Sequence, residues 1–150
     1  LTLKQKRDTL IISMKNTIDE IKKILIEQHR VIKDDMEKIT EMFNSEKTFN
    51  ADIAYGLLIK FNDDLNKHLQ MENHQFYPEM IKQMHGASDA EKMKNLFHDM
   101  MIMEKAVYRL LQKYSSGEKI KSSLQEFKKE FGDIEGVLSS RIEREETKVF

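Results

Sequence analysis

His68-Leu69-Gln70-Met71-Glu72 places a histidine and a carboxylate four residues apart inside a strongly helical run. At 3.6 residues per turn, positions i and i+4 stack on one helix face, so the imidazole and the carboxylate point at the same place. Few structural reasons put both groups on an apolar stripe. One chemical reason does, because the pair can hold a hard or borderline metal such as iron, manganese or zinc. The pair gains meaning only if other helices aim matching ligands at the same point.

The bulk properties set the frame. A chain of 150 residues with 39 % apolar content fits one domain, able to bury roughly two-thirds of its unfolded surface. A net charge of −1 argues against a nucleic-acid or anionic-membrane footprint, which needs clustered excess Lys and Arg. There is no long apolar run and no visible signal peptide, so no membrane association and a cytoplasmic location are expected. The absence of cysteine excludes disulfides, iron–sulfur clusters and thiolate zinc sites, so any metal must be held by nitrogen and oxygen. One proline, five glycines and a preponderance of Lys, Glu, Ile, Leu and Met read as all-α. The sequence starts at Leu1 and stops at Phe150 inside a helical pattern, which suggests a piece of a longer polypeptide with an additional domain.

The periodicity predicts four helices. The first runs from about Met14 to Phe43, with Ile18, Ile21, Leu25, Ile32, Met36 and Ile39 recurring at three- and four-residue spacing, and stops at Asn44-Ser45. Residues 1–12 read as a short arm or an extra turn. The second helix starts near Thr48 and carries Leu57, Leu58, Phe61, Leu65, Leu69 and Phe76. Pro78 predicts a kink or break at Tyr77, followed by a continuation through Met84 to Gly86 as a left-handed end residue. Ser88-Asp89-Ala90-Glu91 has capping-box spacing. It opens a third helix through Met93, Leu96, Phe97, Met101, Ala106 and Leu110 to about Tyr114. After Ser115-Ser116-Gly117 the fourth helix begins near Glu118, with Leu124, Phe127, Phe131, Ile134 and Leu138 on its stripe. Gly132 and Gly136, each costing about 1 kcal/mol relative to Ala, signal either close helix approach or weak propensity. Short turns between four helices give an up-down-up-down four-helix bundle, a single domain whose core spans about residues 14–150.

Extending each stripe shows which polar side chains fall on it. Leu25, Ile32 and Met36 pass through His29; Phe61 and Leu65 lead to His68 and Glu72; Phe127 to Leu138 leads to Arg141 and Glu145. On the third helix His98 sits at the stripe edge, one residue after Phe97 and three before Met101. Burying so many polar groups is costly without mutual hydrogen bonds or a cation.

His29 in Glu-Gln-His-Arg, His68-x-x-x-Glu72 followed by Phe-Tyr-Pro, His98 in Phe-His-Asp and the terminal Arg-Glu-Glu-Thr-Lys-Val-Phe resemble the hemerythrin-like, or HHE cation-binding, domain family from about residue 14 to 150. The resemblance implies a four-helix bundle with a non-haem di-iron centre, and two iron ions per chain when both halves are filled. It implies His29 and His68 as terminal ligands of one iron, His98 as a ligand of the other, and Glu72 and Glu145 as bridges. The chain departs from the family pattern at Arg141, where the second H-x-x-x-E should begin, because a guanidinium cannot ligate a cation. Either the second metal binds weakly with a water or another side chain in the vacancy, or Arg141 replaces its charge by pairing with Glu72 or Glu145; with the altered site unfilled, the chain holds one iron or none. A third reading lets its long side chain run out to solvent.

Glu146 competes with Glu145 as ligand, since a phase error of one residue swaps them. His74 and His85 read as surface and helix-end residues. Met100, Met101 and Met103 flank His98 as core packing, or as the lining of a small-gas pocket. Tyr77 lies near the site without an assigned role. The resemblance implies O2, NO or peroxide as small ligands and a role in oxygen, nitric-oxide or redox sensing or in iron handling; a di-metal oxidase or peroxidase is a further reading, though no positioned nucleophile or substrate motif demands an enzyme. The competing reading is a metal-free, degenerate bundle acting as an interaction or signalling module.

Overall fold

The computed structural model describes residues 2–45, 49–83 and 86–150, with the side chains of 11–16, 87 and 89 left aside. The described residues are helical almost throughout and include no strand. The helices are α1 (Leu3–Asn44), α2 (Ala51–Met71), α3 (Tyr77–Lys82), α4 (Ala87–Lys113), α5 (Gly117–Ser122) and α6 (Leu124–Arg144). Two π-helical turns, π1 (Glu72–Phe76) and π2 (Glu145–Val149), continue α2 and α6 without a break. The long helices contact one another in the pairs α1–α2, α2–α4, α4–α6 and α1–α6.

Local chemistry explains the boundaries, and several differ from the expectation. Residues before Met14 are helical because Thr2 closes a capping box: its hydroxyl accepts from Gln5 N–H at 3.1 Å while its own N–H donates to the Gln5 amide at 2.8 Å. Asn50 caps α2, accepting from Asp52 and Ile53 N–H at 3.0 and 3.1 Å. Helix continues through Pro78 rather than breaking, because the π turn ahead of it re-routes the ladder and Tyr77 N–H bonds back to the Glu72 carbonyl. Gly86 is an extended N-cap of α4 (φ −146°), not a left-handed end residue, so Ser88 lies inside the first turn and no side chain caps that helix. The expected start near Thr48, the stop at Met84 and His85 lie outside the described residues. Gly132 and Gly136 have open space around them, so weak propensity, not close approach, describes them. The close approach is at Gly117, where an added Cβ would lie 2.8 Å from the Ala51 carbonyl oxygen.

The interior divides into two apolar clusters. Ile18, Ile21, Leu25, Phe76, Tyr77 and Met93 form one. The other, larger, contains Ile32, Met36, Leu58, Phe61, Leu65, Met100, Met103, Phe127 and Phe131 among others. Along the chain three buried polar residues fall where one cluster gives way to the other, His29 between Leu25 and Ile32, Glu72 between Leu69 and Phe76 and Glu145 between Ile142 and Val149, whereas buried Asp35 lies within the larger cluster's stretch and pairs with Lys60 at 2.8 Å. A polar layer therefore lies between the two apolar clusters.

Candidate metal centre

Four ligand-type side chains meet in that layer. His29, His68, Glu72 and Glu145 are each no more than 2 % exposed, and one nitrogen or oxygen atom from each lies within 4.8 Å of all the others. His29 Nε2 stands 3.0 Å from His68 Nε2, 3.1 Å from Glu145 Oε2 and 3.9 Å from Glu72 Oε1. His68 Nε2 stands 2.7 Å from Glu72 Oε1. A tetrahedral cation with ligand bonds of about 2.1 Å separates its donor atoms by about 3.4 Å, which this spread brackets.

The tautomer of His68 favours ligation. The Gln28 side-chain NH2 donates to Met71 Sδ at 3.6 Å, which turns the amide oxygen toward His68. His68 Nδ1–H then donates to Gln28 Oε1 at 2.9 Å. That fixes the tautomer, so His68 Nε2 carries a lone pair facing the cluster. His29 Nδ1 faces the half-buried Glu146 carboxylate at 3.4 Å. Glu145 is thus the inward carboxylate and Glu146 the outer one behind the imidazole.

Several atoms are left short of partners. Glu72 Oε2 is buried without a polar partner, and Glu72 Oε1, Glu145 Oε2 and His29 Nδ1 meet only one another's kind, an imidazole facing a carboxylate at 2.7, 3.1 and 3.4 Å, with no hydrogen bond to any other group. Each such group costs about 1–3 kcal/mol, more when charged, and the close approach of a lone pair to a carboxylate is repulsive unless a proton or cation is shared between them. Without a metal, burial pulls the His29 imidazole down, but the Glu145 and Glu72 carboxylates outweigh it and hold it up to about 9. Burial raises Glu72, yet the imidazoles of His29 and His68 prevail and hold it well below the usual carboxylate range. Glu145 is shifted upward by burial, with the like charge of Glu72 adding to it against His29 and Arg141. The donor set of two imidazoles and two carboxylates fits a borderline or hard transition-metal cation.

Arg141 is inward, not solvated: it is 5 % exposed and its Nε donates to Glu145 Oε1 at 2.7 Å. Its Nη2 donates to the Tyr77 hydroxyl at 3.1 Å, which in turn faces Glu145 Oε1 at 3.4 Å. Burial, reinforced by Glu72 and Glu145, pushes the Tyr77 phenol far above its ordinary range, so it stays protonated. Sequence reasoning left Tyr77 without a role and did not single out Gln28. Tyr77 follows Phe76 where the ligand stripe of α2 runs on through π1 into α3, which is a usable signal; Gln28 lies off the stripe of α1 and carries none. Phe150 stacks on His29 with ring centroids 5.6 Å apart.

His98 does not join the site. It is exposed, while Met93, Met100, Met103 and Val107 form the inward face of α4. At about 100° per residue, His98 lies about 200° around the helix from Met100. The expected stripe through Phe97 and Met101 was one residue out of phase, and both of those side chains are substantially exposed. The buried Met100 and Met103 also border a cleft of about 380 Å³ between α4 and α6 that touches Arg141. His74 is exposed, as expected.

Residues 20–150 match the family described as the hemerythrin HHE cation-binding domain. Comparison with curated proteins and with solved structures gives no match. Joined to a buried layer of histidines and carboxylates on an all-helical scaffold, the match means that this chain belongs to the hemerythrin HHE cation-binding domain family.

Proposed function

We propose that this domain binds an iron-class cation through His29, His68, Glu72 and Glu145 within an up-down four-helix bundle, and that the bound ion serves oxygen, nitric-oxide or redox sensing or iron handling. The observation that carries this reading is the convergence of four buried donor atoms within 4.8 Å. A redox-active ion held there supplies an electron and an open coordination position to a small ligand. The chain's own residues do the rest. Gln28 fixes the His68 tautomer, Glu146 backs His29, and Phe76 and Phe150 shield the layer from one side. The cleft beside Met100 and Met103 offers a small apolar molecule an approach to the layer.

The metal-free bundle is the weaker reading. Arg141 neutralises one carboxylate, but Glu72 keeps Oε2 buried and unpaired and Oε1 facing only the His68 and His29 imidazoles, at 2.7 and 3.9 Å. An interaction module gains nothing from that arrangement. Metal analysis of anaerobically purified, iron-supplied protein tests the proposal. The wild type is expected to retain iron that His68→Ala and Glu72→Ala lose. A wild type with no more iron than those variants rules the proposal out.

A further inference from the structure

The two oxygens of Glu145 face different partners. Oε2 points to the imidazole of His29 at 3.1 Å, and Oε1 receives Arg141 Nε at 2.7 Å. A carboxylate bridging two cations presents one oxygen to each in just this way. We propose that the Arg141 guanidinium takes the place of a second cation, so that the centre holds one metal ion. This rests on the cation-binding reading above and narrows it to a mononuclear site with a built-in organic charge.

Three features of the layer support it. The first is the backbone: Arg141 stands four residues before Glu145, as His68 stands four before Glu72, and each glutamate opens a π turn. Each leading side chain sets a nitrogen 2.7 Å from its own glutamate's Oε1, an imidazole on Glu72 and a guanidinium on Glu145. The second is α4, whose inward side chains near this level are Leu96 and Met100, with His98 on the outer face. Among its described side chains that helix brings no nitrogen or oxygen ligand into the buried cluster, its nearest carboxylate, Asp99, being exposed. The third is charge. Glu72 and Glu145 bring two negative charges and Arg141 one positive charge into the buried layer. One divalent ion exceeds the remaining negative charge by one, whereas a second would leave three uncompensated positive charges in a low-dielectric interior. Arg141 is thus a positioning residue, held by Tyr77 and fixing which Glu145 oxygen is free for metal.

The test uses the whole 150-residue chain, freed of metal, loaded with excess Mn(II), desalted, then measured for manganese content and by electron paramagnetic resonance. The expected result is one manganese per chain with the hyperfine pattern of an isolated ion. Arg141→His, which makes the two halves alike, is expected to bind more than one and to show exchange coupling. Two coupled ions in the wild type would overturn the inference while leaving the cation-binding reading intact. An Arg141→His variant of native helicity that still holds one ion would overturn it as well. No manganese in the wild type would instead strike at the cation-binding reading itself. Should Arg141→His fail to fold, the wild-type stoichiometry and spectrum decide the matter alone.

Discussion

The α2–π1 and α6–π2 segments use one backbone device for two different chemistries. In both, a helix carries a functional side chain, and a glutamate four residues later sits at the junction with a π turn. Both glutamates are buried to within 1 %. The wide turns are stabilised alike, by Tyr77 N–H on the Glu72 carbonyl and Phe150 N–H on the Glu145 carbonyl. π turns of this kind cluster at functional sites because they re-aim side chains inside a continuous helix. The difference lies at the leading position. His68 brings a lone pair held in place by Gln28, whereas Arg141 brings a permanent charge held in place by Tyr77. Presentation of the carboxylate is thus separable from the identity of the side chain that leads it.

Making the first arm resemble the second gives the largest expected effect. His68→Arg removes a lone-pair donor and places a second guanidinium beside Glu72; metal retention is expected to vanish while helicity by circular dichroism persists. Retained metal would show that the arms are not distinct in the way described. Next in size is Glu145→Ala, which strips Arg141 of its buried counter-ion. Removing one partner of such a pair typically costs about 3–5 kcal/mol, to be read from urea unfolding of the metal-free chain.

A pH effect follows in the same metal-free protein. The His29 imidazole is held up to about 9 by Glu145 and Glu72 against an ordinary value of 6.5. A raised histidine contributes stability that is complete below the unfolded value and disappears as pH rises through the folded one. Stability is therefore expected to fall by up to about 3 kcal/mol between neutral pH and pH above 9. His29→Gln should flatten that slope, and an unchanged slope would remove His29 as its cause. The smallest effect belongs to Tyr77→Phe, which takes away the acceptor of Arg141 Nη2 at a cost of about 1 kcal/mol. A larger loss of metal than of stability in that variant would show that Tyr77 orients Glu145 as well as packing.

Much of this was legible in the sequence, for a physical reason. Apolar stripes at three- and four-residue spacing fix helix phase, and the phase on α1, α2 and α6 carries His29, His68, Glu72, Arg141 and Glu145 inward. On α4 the phase was ambiguous, because Met100, Met101 and Met103 are equally apolar and only tertiary packing chooses among them; that choice turns His98 outward. The π turns had no sequence signal, since they depend on which carbonyl an amide finds. Gly86 carries a related ambiguity: glycine serves an extended cap as readily as a left-handed one, and backbone geometry alone decides.

The central claim is that one cation sits among His29, His68, Glu72 and Glu145 with Arg141 standing where a second would be. Anomalous diffraction from crystals of the iron-loaded chain tests it most directly. The account predicts one iron peak within ligand distance of those four side chains, with Arg141 still on Glu145 Oε1. No peak in the layer, or two peaks with Arg141 displaced from Glu145, would contradict it.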